Sequence, residues 1–391
     1  MLTRLGTDLG LPAGCELTAD LHSMLVYAPG QFFAPHQDSE KADAMIGTLV
    51  VVLPSTSQGG VLVVEHAGRT ERYRSSKESL SFIAFYADCR HHVQPITSGY
   101  RVVLTYNLLL RGEPGGAGSD GTDPALTAAL ARCLDEHFAA AAEPTRLVYL
   151  LDHQYTQRSL GWSRLKGSDA SRAAAVRVAA RAAGCELTLA LAQIHETWAA
   201  EEDEPSWRRG RRRGHWYDDE QDGYGPGGAG TGGYELQELI DSEISLDAWL
   251  DSPSGAGAAP AALLVADDEA CATTPTGDLT PHESSYEGYM GNYGNTLDRW
   301  YRRAAIVLWP RRWDFAVRAQ ASPGWALDRL AEQLRAGDVE LAREQARTVA
   351  GIWSVAAAGV RSSSGRHWWW PNPWTIPTPP PCCSPRSRRR C

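Results

Sequence analysis

A histidine and an aspartate stand two residues apart at the end of an aromatic, β-prone segment. The segment reads YAPGQFFAPHQD, and the pair is His36 and Asp38. In a β-strand, residues i and i+2 point to the same face of the sheet. One imidazole nitrogen and one carboxylate oxygen on a single face are ligands of the kind that transition metals bind in proteins. The pair therefore predicts a metal site, provided that the fold brings a third ligand close.

A candidate third ligand lies more than fifty residues downstream in the segment DCRHHVQPITSGYR, which carries His91 and His92. Two imidazoles and one carboxylate on one face of an octahedral metal leave three positions open, and this arrangement suits non-haem Fe(II) and oxygen chemistry. A ligand set without thiolate also favours Fe(II) over a structural zinc ion. Neighbouring strand residues face opposite sides, so only one of the two histidines can point inward.

Two further residues have the chemistry to bind a carboxylate ligand. Arg101 begins the last predicted strand of this region, and its planar guanidinium can pair with a carboxylate through two parallel hydrogen bonds. Tyr27 precedes His36 by nine residues and can donate its hydroxyl to the same ligand. Taken alone, Arg101 equally fits a salt bridge at a strand end, and Tyr27 equally fits a core or rim aromatic.

Two other polar residues near these segments are explained more simply. His66, in VEHAGR, and Asp88, just before the paired histidines, both fit turn positions. An alternative for Asp88 is that its carboxylate orients the downstream histidine.

The segment between Glu16 and Leu110 reads as about eight short strands separated by Gly- and Pro-containing turns, without a helical period between them. Evenly spaced strands of this kind are typical of an antiparallel sandwich or barrel. Eight strands in this length predict a jelly roll, also called a double-stranded β-helix. That topology would return the strand with the downstream histidines to the side of the first strands.

Composition and turn residues divide the whole chain into successive parts, of which this mainly β domain is the first. The predicted parts are a β domain at 1–111, a Gly-rich linker at 112–124, an α+β module at 125–360 with a charged, disordered insert at about 199–233, and a low-complexity tail at 361–391.

Bulk properties narrow the class of protein. The formal net charge of −9 argues against a nucleic-acid binder that works by overall electrostatics. The sequence shows neither a secretory signal nor a run of apolar residues long enough to span a membrane. The 8 cysteines form no C-x-x-C pair, so a disulfide framework or a zinc knuckle is not indicated. We therefore expect a cytoplasmic protein without a membrane partner; the sequence gives no indication of oligomeric state.

The segments YAPGQFFAPHQD, GGVLV and HHVQPITSGYR together resemble the Fe(II)/2-oxoglutarate-dependent dioxygenases of the prolyl 4-hydroxylase type. The resemblance covers about a quarter of the chain, from Leu17 to Leu110. The family spacing H-x-V-x-P-x-x-x-G-x-R selects His91 over His92 and ends on Arg101. The segments LDHQYTQRSL and YEGYMGNYGNTLDRWYRRAAIVLWP also resemble the C-terminal region of large bacterial and fungal proteins that carry this oxygenase domain.

The resemblance implies a role for each matching residue. His36, Asp38 and His91 would be the iron ligands, Arg101 would bind the distal carboxylate of 2-oxoglutarate, and Tyr27 would assist it. The implied cofactor is Fe(II), with 2-oxoglutarate and O2 as co-substrates and ascorbate as a supporting reductant. The implied reaction is hydroxylation of a C–H bond, with succinate and CO2 as co-products.

The implied substrate is a prolyl or other side chain of a protein or peptide. One alternative is the same chemistry on a small molecule or nucleobase. A base-flipping demethylase should carry a basic groove, and this region is not strongly basic. The other alternative is a non-catalytic jelly-roll module that binds a partner.

Overall fold

The structure is a computed structural model, and the residues it describes are 1–11, 15–39, 41–42, 44–111, 123–141, 144–202, 234–250, 263–288 and 294–362, without the side chains of 202, 352 and 354–362. Residues 112–122 of the predicted linker, 203–233 of the predicted insert and 363–391 of the predicted tail lie outside this range.

The described part of residues 1–111 is mainly β, with ten strands where about eight were expected. The strands are Glu16–Tyr27 (β1), Phe33–His36 (β2), Met45–Val52 (β3), Ser57–Gly59 (β4), Leu62–His66 (β5), Arg69–Tyr73 (β6), Ser81–Tyr86 (β7), Arg90–Val93 (β8), Ile96–Gly99 (β9) and Arg101–Arg111 (β10). One additional strand is the short β4. The other arises because the segment HHVQPI, which reads as one strand, divides at Pro95, which has no backbone N–H to donate to a ladder.

These strands form several antiparallel sheets around one core. One four-stranded sheet has the order β1-β10-β3-β7, another has the order β2-β8-β5-β6, and β4 pairs with β9. Strand β3 is buried along its whole length, in keeping with its largely apolar sequence. The core joins buried residues of both four-stranded sheets, such as Leu49 and Val93. This arrangement is consistent with a double-stranded β-helix.

A short helix that the sequence analysis did not predict precedes the first strand. Helix α1 spans Leu2–Asp8, and Leu2, Leu5 and Leu9 pack against the core of the β region. The spacing of these three leucines is that of one face of a helix.

The C-terminal part combines a mixed sheet with helices. Its strands are Leu147–Leu150 (β11), Cys185–Glu202 (β12), Tyr234–Trp249 (β13), Leu263–Val265 (β14), Ala270–Ala272 (β15), Glu283–Glu287 (β16) and Thr296–Pro310 (β17). Its helices are Pro124–Ala140 (α2), Gly167–Ala182 (α3), Asp314–Ala321 (α4), Pro323–Ala336 (α5) and Val339–Ser362 (α6).

The sheet order is β14-β13-β12-β17-β11-β15, with β16 on β17, and the β11–β15 pair is parallel. Gly337, with a φ of +87°, ends α5 and separates it from α6. None of the described helices is both long and apolar enough to cross a membrane.

Two boundaries of the predicted parts need correction. Residues 199–202, expected in a disordered insert, continue strand β12, because Ala199 pairs with Thr296 of β17 and Ala200 is buried. Arg361 and Ser362, expected in the tail, are the last residues of α6.

The connection between β9 and β10 yields a test of the fold. Gly99 has a φ of +73°, and a Cβ atom there would overlap the carbonyl oxygen of Thr56. Gly30 has a similar φ of +85° with open space around it. We expect Gly30→Ala to lower the free energy of unfolding by about 1 kcal/mol, the cost of the left-handed conformation. Gly99→Ala should lower it by roughly a further 1–3 kcal/mol, because overpacking adds to the same conformational cost.

Chemical denaturation followed by circular dichroism measures both values. Equal losses in the two variants would contradict the close approach of Gly99 to Thr56.

Candidate metal centre and co-substrate site

The antiparallel pairing of β2 with β8 places two histidines side by side. His36 is the residue directly opposite His91, and their ring centroids lie 4.2 Å apart. His91 is buried and His36 is partly buried. The pairing therefore supplies two imidazoles from neighbouring strands at one place.

Asp38 joins the two histidines from a loop. Its Oδ1 lies 3.6 Å from Nε2 of His36, and its Oδ2 lies 3.9 Å from Nε2 of His91. One ligand atom from each of the three residues falls within 4.8 Å of the others, a separation that one metal ion can bridge. The sequence argument placed Asp38 on the same strand as His36, but β2 ends at His36. The backbone N–H of Asp38 instead donates to the carbonyl of Ala87 at 3.0 Å, which directs the loop toward β8.

Hydrogen bonds to backbone carbonyls set the tautomer of both histidines. Nδ1 of His36 lies 2.9 Å from the carbonyl of Ala34, and Nδ1 of His91 lies 3.1 Å from the carbonyl of Cys89. A carbonyl oxygen only accepts, so each Nδ1 carries the hydrogen and each Nε2 has a free lone pair. Both lone pairs belong to the atoms nearest Asp38, the arrangement found where histidine binds a metal.

The charges of the three groups also favour a cation. Burial lowers the pKa of His91 and so favours its neutral form. For His36, burial works in the same direction, but the Asp38 carboxylate 3.6 Å away and the hydrogen bond to the Ala34 carbonyl outweigh it and raise the pKa. Burial alone would raise the pKa of Asp38, but the two histidines and the Thr48 hydroxyl hold it below its usual value. Asp38 is therefore ionised at neutral pH, as a metal ligand must be.

Thr48 is a residue of this site that the sequence analysis missed. Its hydroxyl donates a short hydrogen bond to Oδ2 of Asp38. Thr48 lies in the buried strand β3 and is its only hydroxyl residue. A single polar side chain inside a fully buried strand was the signal that could have identified it.

Arg101 and Tyr27 form a second group in the adjacent sheet. They are directly opposite each other in the pairing of β1 with β10, and the guanidinium carbon lies 5.7 Å from the centre of the Tyr27 ring. Only 1% of Arg101 is exposed, and among the described residues its Nε atom has no hydrogen-bond partner. Burial lowers the pKa of Arg101 and raises that of Tyr27, the latter shift being reduced by the neighbouring guanidinium.

The structure places His91, and not His92, beside Asp38. His92 lies opposite Val63 on β5, and its Nδ1 atom is buried without a partner among the described residues. The three candidate ligands thus come together, and Arg101 and Tyr27 come together with each other.

Residues 22–109 match the 2OG-Fe(II) oxygenase superfamily. They are a 2OG-Fe(II) oxygenase superfamily domain. This domain makes up less than a quarter of the 391 residues. The superfamily implies Fe(II) and 2-oxoglutarate, and the His36, Asp38 and His91 triad in this domain offers two nitrogens and one oxygen to a metal.

Several solved structures are similar to parts of the chain. One is an oxidoreductase of the 2OG-Fe(II) oxygenase family from Burkholderia pseudomallei, at 19% identity and a TM-score of 0.21 over 24% of this chain and 44% of that chain. Another is a prolyl-4-hydroxylase from Pseudomonas putida, at 25% identity and a TM-score of 0.20 over 28% of this chain and 58% of that chain.

A third is the capsular polysaccharide assembling protein CapF from Staphylococcus aureus, at 12% identity and a TM-score of 0.18 over 27% of this chain and 25% of that chain. All three matches span less than two thirds of the solved chain. No curated protein sequence matches the chain.

Loss of the Thr48 hydroxyl should loosen Asp38. We expect Thr48→Val to weaken Co(II) binding by about tenfold, because removal of an outer hydrogen-bond partner typically costs 10–100-fold in metal affinity. Valine has nearly the same shape, so the strand itself should remain packed. Isothermal titration with Co(II) measures the affinity.

The matched control is Thr70→Val, which changes the same functional group at an exposed position of β6. An affinity of the Thr48→Val variant equal to that of the control would show that Thr48 does not support the ligand.

Proposed function

We propose that the chain is an Fe(II)- and 2-oxoglutarate-dependent dioxygenase that hydroxylates a C–H bond, with succinate and CO2 as co-products. The observation that carries the proposal is the convergence of His36, Asp38 and His91 within a domain of this superfamily. The proposal includes a jelly-roll fold for residues 1–111, supported by two four-stranded antiparallel sheets that share one core.

The triad fits the iron that the superfamily implies. Two neutral imidazoles and one ionised carboxylate are ligands that suit Fe(II), and three protein ligands leave coordination positions for other molecules. His36, Asp38 and His91 would hold the metal through Nε2, a carboxylate oxygen and Nε2. When bound, Fe(II) supplies the oxygen chemistry that couples decarboxylation of 2-oxoglutarate to hydroxylation. O2 is the second co-substrate, and ascorbate would keep the iron reduced.

Arg101 fits the distal carboxylate of 2-oxoglutarate. A buried cation without a carboxylate partner is costly, and an anionic ligand removes that cost. The guanidinium can bind the carboxylate through two parallel hydrogen bonds, which fixes the orientation of the co-substrate. Tyr27, opposite Arg101 in the ladder, would donate its hydroxyl to the same group.

We propose a prolyl or other side chain of a protein or peptide as the substrate. An open, mostly apolar groove of about 430 Å³ lies between the end of β1 and the start of β2, and it includes Tyr27, Phe32 and Phe33. Phe32 is 61% exposed, and the ring of Phe33 lies 4.4 Å from that of His36. The groove is thus lined by a residue that contacts a candidate metal ligand, and a surface groove beside the metal would hold a polypeptide near the site.

Succinate formation tests the proposal. Purified chain supplied with Fe(II), ascorbate and 2-oxoglutarate should form succinate, and Asp38→Ala should abolish it because a ligand is lost.

We expect Arg101→Ala to raise the KM for 2-oxoglutarate by about 100-fold, in line with about 3 kcal/mol for a charged, two-point contact. Arg101→Lys should recover part of the loss, because it restores the charge without the planar geometry.

The matched control is Arg72→Ala, which removes an exposed arginine of β6. A folded wild-type chain that binds neither Fe(II) nor 2-oxoglutarate would contradict the catalytic proposal and favour a non-catalytic binding module. Turnover stimulated by small molecules and not by peptides would retain the chemistry and replace the substrate class.

A further inference from the structure

A second cluster of titratable side chains joins the N-terminal β region to the C-terminal part of the chain. Its centre is Asp88, in the turn between β7 and β8. His66 reaches it from the end of β5, and His153 and Lys166 reach it from the segment between β11 and α3. Asp88 lies in a turn, as the sequence predicted, but its side chain is buried at this junction.

The carboxylate of Asp88 is surrounded by donors. Its Oδ2 accepts hydrogen bonds from Nδ1 of His153 at 2.9 Å and from the backbone N–H of Gln154 at 3.0 Å. Nε2 of His66 lies 3.4 Å from the same oxygen, and Nζ of Lys166 donates to Oδ1 at 3.3 Å. Burial alone would raise the pKa of Asp88, but Lys166 and His153 hold it well below its usual value. The charge of Asp88 is therefore compensated inside the protein.

His66, Asp88 and His153 lie close enough together to hold a metal, but their geometry favours an ion-pair cluster. The two imidazole rings are stacked, with centroids 4.2 Å apart and planes 18° from parallel. A metal binds a ring nitrogen in the plane of the ring, and two stacked rings direct their lone pairs side by side instead of to one point. The Lys166 ammonium beside the carboxylate also supplies the positive charge that a metal would bring.

The backbone of the same turn holds the candidate iron ligands. Its three successive carbonyl oxygens, at positions 87, 88 and 89, each contact a segment that carries a ligand. The three contacts are the Asp38 N–H to Ala87 at 3.0 Å, Nε2 of Gln37 to Asp88 at 2.6 Å and Nδ1 of His91 to Cys89 at 3.1 Å. The turn therefore contacts the C-terminal part through a side chain and the triad through its backbone.

We propose that the C-terminal part of the chain positions the candidate iron ligands through Asp88. Asp88, His153 and Lys166 are then positioning residues, which act on the metal through turn 87–89 and do not touch it. The inference rests on the proposed function of the triad. Its physical basis is that ligands held by fixed outer contacts keep the geometry a metal requires, and loosening those contacts weakens binding.

A purely structural role for the cluster predicts a different result. If the contacts of Asp88 only stabilised the junction, their loss would lower the melting temperature and leave the metal affinity of the folded protein unchanged. Positioning requires that the affinity and the ligand field of the bound metal change while the chain is still folded.

The test uses the full chain with Co(II) as the probe, at a temperature where circular dichroism shows each variant to be folded. We expect Asp88→Asn and Lys166→Met each to weaken Co(II) binding by about tenfold and to change the visible absorption of the bound Co(II). Asp20→Asn makes the same chemical change at an exposed position of β1 and should alter neither.

Gln37→Met tests the path through the turn. Gln37 contacts the backbone of Asp88, so its loss should weaken Co(II) binding in the same way. If both residues act through turn 87–89, the double variant of Gln37→Met and Asp88→Asn should bind about as weakly as either single variant. Effects that multiply would mean independent actions and would overturn the shared path.

Three results would overturn the inference and separate it from the proposed function. Wild-type affinity and absorption in Asp88→Asn would overturn the inference alone. A wild-type chain whose Co(II) binding is insensitive to His36→Ala would overturn the proposed function and, with it, this inference. A Co(II) equivalent that survives His36→Ala and is lost in His153→Gln would make the cluster a metal site in place of a positioning contact.

Discussion

The pairing of β2 with β8 is the constraint on which the candidate site depends, because it sets His36 directly opposite His91. Opposed residues of an antiparallel pair have Cβ atoms about 4.5–5.5 Å apart, so two imidazoles in register meet without any contribution from a loop. A slip of one residue would turn β8 over and direct His92 toward Asp38. The pairing is supported on its other side, since β8 also pairs with β5, where His91 lies opposite Val64.

The buried charges of the oxygenase domain fall into two kinds. Asp88 has an ammonium, an imidazole and a backbone N–H around its carboxylate, so its burial is compensated by the protein. Arg101 is at least as deeply buried, but its neighbour is the ring of Tyr27 and its Nε lacks a partner among the described residues. An uncompensated buried ion costs several kcal/mol. The charge of Asp88 is therefore neutralised within the protein, whereas the charge of Arg101 would be neutralised by the co-substrate carboxylate of the proposed reaction.

The sequence predicted what local patterns encode. Strand alternation and turn residues indicated the β region, and the His-x-Asp and His-x-Val-x-Pro spacings indicated the residues that the structure brings together. Long-range contacts left no such pattern. Asp38 reaches the site through a hydrogen bond to Ala87, and Asp88 meets His153 across 65 positions of sequence. Among the features that the sequence analysis missed, two could have been recognised from local sequence. Thr48 is a polar residue in a buried strand, and the leucines of α1 have the spacing of one helix face.

Control of a metal site from a neighbouring part of the chain requires rigidity on both sides of the junction. In the oxygenase domain, the turn at 87–89 is fixed by the β7 and β8 strands that flank it. In the C-terminal part, Asp169 in the first turn of α3 fixes the segment that carries His153. Its fully buried carboxylate accepts the backbone N–H groups of Asp152 and His153 at 3.0 and 2.9 Å and the hydroxyl of Tyr155 at 3.1 Å. An acidic residue in the first turn of a helix is also favoured by the helix dipole. A segment held in this way can fix the position of Asp88, which a mobile loop could not do.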